Sequence, residues 1–327
     1  CTDTLQYFRA HRIPLVDLGL GEHTLEVPRV VTDNQAIGRL AAEHFRDHGY
    51  REVFVPHHMD IPMYRERFEA LEEAMVVDGG SVYRLESAPR MHQQMIREFE
   101  AIARRRGRKV TELSIGFFAY QDALAAEMIS CCLQNDLRVP ENVAVLGVDN
   151  DDLINAGLTV GLSSIDSDQE GLGRAAAHVL RDLFTSPTSS RRKAIFRHPP
   201  KGVEVRRSTD CFAVRNPLVS EALHWIHRHF HTGIQATDVA AAMGVTQQGL
   251  QKAFAANFIR SPGQEIRHQR VLAVEQLLVG TTARLEDIAR SCGYYSVDTL
   301  INSFRKVHGI TPGRFRKQVR EHAVPAA

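Results

Sequence analysis

Cysteine is scarce in this chain, and so are long apolar runs and net charge. The five cysteines are Cys1, Cys131, Cys132, Cys211 and Cys292. Their odd number and irregular spacing give neither a disulfide framework nor a zinc site, so no metal is expected. Cys131 and Cys132 fall side by side on an expected helix, where they read as small buried hydrophobes. This cysteine usage points to a reducing, cytoplasmic compartment. No stretch approaches the roughly 20 apolar residues that a membrane-spanning helix needs. Residues 1–205 hold no obvious internal repeat and no low-complexity segment.

What is present is enough apolar residue for real cores, 43% of a chain of 327 residues, long enough for two or three domains. The formal net charge is only +1, but it is unevenly spread. From Pro217 onward there are 13 Lys and Arg against 8 Asp and Glu, and the remainder holds 27 against 31. A basic end on a faintly acidic body suits a nucleic-acid-binding module attached to something else. The chain starts at Cys1 and runs at once into a helix and an apolar strand, Ile13 to Leu18. No strand–helix unit comes before these, so the start of a first lobe is expected to be missing.

Strand-like and helix-like segments then alternate. Val27 to Val31, Val53 to Val55, Val82 to Leu85, Leu113 to Phe118 and Val143 to Val148 read as strands. Helices follow the first four, capped at Asp33 or Asn34 in the first case, and then Arg65 to Met75, Met91 to Ala103 and Gln121 to Leu133. Leu162-Ser163, a helix from Asp168 to Phe184 and short strands near Ile195 and Val203 complete the run. This rhythm means right-handed crossovers and a parallel sheet. Ligands of such sheets bind at the carboxyl ends of the strands. Asp122 and the pair Asp149-Asn150 fall at two such ends. Carboxylates accept from vicinal hydroxyls, an amide does both, and Phe117, Phe118 and Tyr120 offer rings to stack on a sugar. The blander alternative is that Asp122 caps the next helix and Asp149 a turn.

The C-terminal third changes period. Leu285, Ile288 and Ala289 share a helix face, Gly293 ends that helix, and Ser296 caps another carrying an apolar stripe of Leu300, Phe304 and Val307. Gly309 closes it, and Thr311-Pro312 opens one more helix. This is a helix-turn-helix pattern. The alternative is an ordinary packed hairpin with a solvated face. The pattern occurs twice: Asp238 to Phe254 carries Gly244 at its turn and Thr246 as its cap. A long helix from Ser261-Pro262 through Leu278 would separate the modules by about one DNA turn, roughly 34 Å. Gly249 inside the first recognition helix costs about 1 kcal/mol of propensity.

These residues carry three resemblances. Ile288, Ala289, Gly293, Tyr294, Ser296, Phe304, Gly309, Thr311, Pro312, Phe315 and Arg316 resemble the signature of AraC-type regulators, with Leu250, Lys252 and Phe254 in its first module. YQDALA, VPENVAVLGVDNDDL and LSSIDSDQEGLGRAAAHVL resemble the effector domains of LacI/GalR-type repressors. Sensor and reader joined in this order, with Arg206 to Asp210 and Pro217 at the join, resemble the XylR-type regulators of xylose operons. The fold implied is α/β, a two-lobed periplasmic-binding-protein-like sensor followed by an all-α domain with two helix-turn-helix motifs. Its divisions are 1–205, a linker at 206–217, and 218–327.

The resemblance implies a sugar effector, D-xylose by preference, held by Asp122, Asp149 and Asn150. The family's arginine falls at Tyr64, with Arg65 beside it and Arg67 nearby. His57 and His58 read as surface. Operator DNA is the second partner. Gln247, Gln248, Gln251, Asp298, Thr299 and Asn302 are base-reading candidates, since Gln and Asn bond adenine bidentately. Lys252, Arg305, Lys306 and Arg314 are phosphate candidates. RNA polymerase and a second copy of the chain are further expected partners, activation of catabolic genes is the expected outcome, and no cofactor is called for. Other readings stay open: a non-pentose effector, a ligand-independent reader with the sensor as a dimerisation platform, or an enzyme. The last would need a reactive cysteine.

Overall fold

The structure is a computed structural model. It describes residues 7–322 apart from 9, 12, 20–26, 57–60, 78, 86–90, 106, 108, 110–112, 186–193, 211, 215 and 259, so His57 and His58 lie outside the described residues.

The sensor is built on a six-stranded sheet of order β3-β2-β4-β5-β6-β8. Its strands are β2 (Glu52–Pro56), β3 (Ser81–Leu85), β4 (Ile115–Phe118), β5 (Val143–Val148), β6 (Ser163–Asp166) and β8 (Gly202–Glu204). All pairs are parallel except β6 with β8. EVFVP, IGFF and VAVLGV are buried along their whole length, and apolar but for Glu52, because both faces of the sheet are covered. Phe54, Ile115, Phe117 and Val145 face α3 (Met91–Arg105) and α4 (Asp122–Gln134). Their neighbours Val53, Val55, Phe118 and Leu146 face α1 (Asn34–Asp47) and α2 (Pro62–Val77). Asp33 caps α1 by accepting from the Ala36 amide at 3.0 Å. Gly38 lets α1 lie directly on α2: a Cβ there would meet the Arg67 carbonyl at 2.2 Å.

A second, smaller body pairs β1 (Arg29–Thr32) with β7 (Ile195–His198) in parallel. Beyond the short α5 (Asp152–Ala156), helix α6 (Gln169–Thr185) covers them through Ala175, Ala176 and Val179 against Val30. The expected strand at Ile13–Leu18 does not form. Only Asp17 bridges to Arg29. Pro28 has no amide to donate to Leu15, so the ladder cannot extend from Asp17 back toward Ile13. The bodies are joined by chain crossings around Asp33, Asp168 and Lys201. At the last two, the Asp168 carboxylate meets His198 at 2.7 Å and Lys201 at 2.8 Å.

The C-terminal domain is all-α. Asn216 caps α7 (Pro217–His229) by accepting from the Leu218 amide. In the first module, α8 (Ala236–Ala242) turns at Gly244, φ +65°, into α9 (Gln247–Asn257), capped by Thr246. In the second, α11 (Leu285–Ser291) turns at Gly293, φ +73°, into α12 (Val297–His308), capped by Ser296. Helix α10 (Pro262–Gly280) serves both, with Ile266 in the first core and Val271, Val274 and Leu278 in the second. At 19 residues it spans about 28 Å. The stripe on α12 differs from expectation at one position: Leu300 and Phe304 are buried, whereas Val307 is 53% exposed. The inward side continues instead through His308, stacked on Phe304 at 4.3 Å against Phe315 of α13 (Pro312–His322).

Sensor and reader meet at the end of α1. Asp47 is buried and binds Arg260 and His268, each at 2.7 Å. Arg260 continues to the fully buried Glu265 at 2.6 Å, which also meets His227 at 3.1 Å. His48 stacks on Phe212 at 5.0 Å. The segment 206–217 contributes here as well, with Thr209 Oγ1 2.8 Å from the His44 ring.

Candidate effector cleft and DNA-reading surface

Asp122 is the first residue of α4, at the carboxyl end of β4, and is almost fully buried. It does not cap its helix. The cap position belongs to Gln121, whose side chain makes no capping bond. Instead Asp122 Oδ1 accepts from Ser164 Oγ at 2.6 Å and Oδ2 from the Asp151 amide at 2.8 Å. Gly147 makes room, since a Cβ there would sit 2.1 Å from Asp122 Oδ1. Burial pushes the carboxyl up to about 6 despite these donors.

Asp149 and Asn150 follow β5 with φ of +109° and +57°, conformations that non-glycine residues rarely adopt. Asp149 Oδ1 accepts from Ser167 Oγ at 3.0 Å. The Asn150 amide donates to Ser164 Oγ at 3.0 Å, and Asn150 Oδ1 accepts from Arg206 at 2.8 Å. Ser164 thereby ties Asp122 to the Asp149-Asn150 turn. Strained backbone of this kind concentrates at ligand clamps and active sites.

On the opposite side Tyr64 stacks on Tyr120, ring centroids 4.0 Å apart. Arg65 is half-buried one position along, about 100° around the helix from Tyr64. The arginine near Asp149 is Arg67, only 2% exposed. Its Nε donates to Asn34 Oδ1 at 2.9 Å, and one Nη donates to the Tyr120 carbonyl. Burial draws its guanidinium down, and the nearby Asp149 carboxylate works the other way. The spacing i to i+3 from Tyr64 was the available signal, since such pairs share a helix face. Asn34, Ser164, Ser167 and Arg206 carry no motif that marks them in sequence.

The reader residues are all at the surface. Gln247, Gln248, Gln251 and Lys252 are exposed on the first two turns of α9. Asp298, Thr299, Asn302, Arg305 and Lys306 are exposed on α12, and Arg314 on α13. Thr299 Oγ1 lies 2.9 Å from Ser296 Oγ, so its hydroxyl is oriented by the cap. Among the described residues, Cys131, Cys132 and Cys292 are buried. Burial pushes Cys132 up to about 12 and Cys292 up to about 11, the reverse of what a nucleophilic thiol requires. No cluster of described residues could hold a metal ion, and no described helix is long and apolar enough to cross a membrane.

Residues 42–209 match the family model of the periplasmic binding protein-like domain, more than half of the chain. The chain belongs to that family. Residues 239–318 match a helix-turn-helix domain, so this member carries its periplasmic binding protein-like sensor ahead of a helical reader. Over 314 residues it is 28% identical to the xylose operon regulatory protein of Escherichia coli K12, covering 93% of this chain and 78% of the relative. The protein of the same name from Haemophilus influenzae Rd is 27% identical over 294 residues, covering 88% and 74%. A solved structure described as the xylose-binding transcription activator xylR aligns with a TM-score of 0.51 at 27% identity, covering 97% of this chain and 84% of that one. The sensor–reader order of XylR-type regulators is therefore present along nearly the whole chain, and the relatives named are transcription regulators.

Proposed function

We propose that this protein is a sugar-responsive transcription regulator whose effector is D-xylose and whose output is activation of sugar-catabolic genes. The observation that carries the reading is the buried pair Arg67 and Asp122 with half-buried Asp149, beside the stacked Tyr64–Tyr120 pair at the carboxyl edge of a parallel sheet. Carboxylates take the sugar hydroxyls as donors, Arg67 and Asn150 supply donors in return, and the tyrosines cover a ring face. Tyr64 serves by packing, and Arg65 stays at the rim. Sugar closes the cleft and shifts the balance between two placements of the readers. Only differential affinity for those two states can do so. Base contacts come from Gln247, Gln248, Gln251, Asp298, Thr299 and Asn302, and phosphate contacts from Lys252, Arg305, Lys306 and Arg314. The working form is a homodimer that engages RNA polymerase at its operator.

A thermal-shift screen against D-xylose, L-arabinose, D-ribose and D-glucose tests the effector. Ligand at 100 times its dissociation constant adds about 2.7 kcal/mol, well within reach of a melting curve. D-Xylose alone should raise the melting temperature. A shift with a different sugar replaces the effector, and no shift with any of them rejects the sensing role. Asp149→Ala should abolish the shift while leaving DNA binding intact, and Asn302→Ala should do the reverse. Loss of both properties in both variants would defeat the modular assignment.

A further inference from the structure

A groove of about 880 Å³ runs between the two helix-turn-helix modules. The turn after α7 and the first half of α10 form one wall, with Arg267 and Arg270. The second module forms the other, with Arg290, Tyr295 and Lys306. Its described lining residues include no aspartate or glutamate. Arg267, Arg290 and Lys306 are exposed, and no ion pair among the described residues involves them. Arg270 differs. It is clamped to the Phe230 and Ile234 carbonyls at 2.9 and 2.8 Å, so it builds the wall rather than reaching out of it. The floor is tight, for a Cβ on Gly293 would meet the Phe230 carbonyl at 2.6 Å. Thr299 and Asn302 of α12 line the same groove.

Like charges gathered without carboxylates repel one another in the free protein, and a polyanion relieves that repulsion. A DNA strand presents one negative charge about every 3.4 Å, which suits a row of cations along an open groove. A small anion would find exposed, mobile side chains and no buried donor. Any duplex presented to Thr299 and Asn302 also lies across this groove. Tyr295, entirely exposed, offers its ring to a sugar face.

We propose that the groove seats one strand of the DNA backbone between the two segments that α9 and α12 read, with Arg267, Arg290 and Lys306 as its phosphate contacts. This rests on the reading of the protein as a two-module DNA-binding regulator. Because the groove bridges the modules, these contacts fix the register of one reading helix against the other and carry no base preference themselves.

The test is the salt dependence of binding by the full chain to labelled duplexes of roughly 30 base pairs, about three helical turns. One duplex is recovered from a randomised pool on wild-type protein, and one is of unrelated sequence. Replacing Arg267, Arg290 and Lys306 together by Gln should flatten the plot of log affinity against log salt by about 0.9 for each lost contact. Affinity for both duplexes should fall by a similar factor. Arg267→Lys with Arg290→Lys should keep the wild-type slope. Removing Arg97, Arg104 and Arg174 from the sensor surface should leave it unchanged. An unaltered slope in the Gln variant, at wild-type melting temperature, overturns the proposal, as does a loss confined to the selected duplex. If wild-type protein retains neither duplex at low salt, the DNA-binding reading falls and the groove assignment with it.

Discussion

Arg67 carries a guanidinium into the floor of the cleft, where desolvation costs several kcal/mol. Asn34, the Tyr120 carbonyl and the Met63 sulfur offset that cost. Arg67→Ala leaves two acceptors without donors and should destabilise the sensor by about 2–4 kcal/mol. Arg67→Met, which keeps the volume, should cost roughly half as much. Urea midpoints followed by circular dichroism separate the two, and an Ala variant within about 1 kcal/mol of wild type would sink the argument. Asp122 makes a prediction of opposite sign. Its folded value of about 6 lies above its ordinary 3.8, so the fold binds the proton more tightly than the unfolded chain. Its contribution is therefore largest below about 4, declines as pH rises to about 6, and is constant above. Asp122→Asn should stabilise the protein by about 1–2 kcal/mol at pH 7.5. The gain should vanish by pH 4.5, and melting curves at the two pH values check it.

At the scale of the element, punctuation decides how much could be read in advance. Asp33, Thr246, Ser261 and Ser296 each accept from the third amide of the helix they precede, and each helix begins where its cap places it. Caps act within one turn, which is why they are legible in a single sequence. The buried strands were legible for a similar reason, since a run such as VAVLGV has one reading in a covered sheet. Arg67 and Ser164 were not, because their direction is set by elements distant in sequence, Asn34 and Tyr120 for the first and Asp122 for the second. The cleft was thus half legible, its acids from strand ends and its cation only from the packed helix. Two glycines now separate cleanly. Gly249 has normal φ, and an added Cβ would meet only Thr246 Oγ at 3.1 Å. Gly249→Ala should stabilise the first module by about 0.5–1 kcal/mol. Gly293 has φ +73° and the Phe230 carbonyl in the way, so Gly293→Ala should cost about 2 kcal/mol or more. Thermal melts of the two variants should move in opposite directions.

For the molecule as a whole, the junction at the end of α1 sets the response to acid. Burial pulls the His48 ring down to about 4 and takes His44 the same way, with neighbouring histidines adding to both. A depressed histidine contributes stability that is complete above its ordinary 6.5 and is lost as pH falls through the folded value. Glu265, held at about 2 against its burial by His227 and Arg260, contributes above 4.5 and loses that contribution below it. Glu275 acts against these. Burial first, then Glu43, push it up to about 7, so its contribution declines between about 4.5 and 7. His48 reaches the reader directly, its ring 5.7 Å from that of His227, and Glu265 holds the Arg260 that binds Asp47 of the sensor, so acid should part sensor from reader before either unfolds. Calorimetry should resolve one transition at pH 7.5 and two at pH 5, and Asp47→Asn should show two at both. A single transition at pH 5 would remove the junction from this role.

The pairing of β1 with β7 has a consequence in time. Thr32 leaves the ribosome well ahead of Ile195, which must be made before the ladder can close. At about 5–20 residues per second, β1 waits on the order of 10–30 s beside a sheet that is already assembling behind it. The smaller lobe is therefore completed late in synthesis, only shortly before the reader emerges. Nascent chains arrested near residue 190 should be cut by protease within β1, and chains arrested after residue 205 should resist. Effector and operator then meet a sensor in which β1 waits long for the strand that completes its ladder.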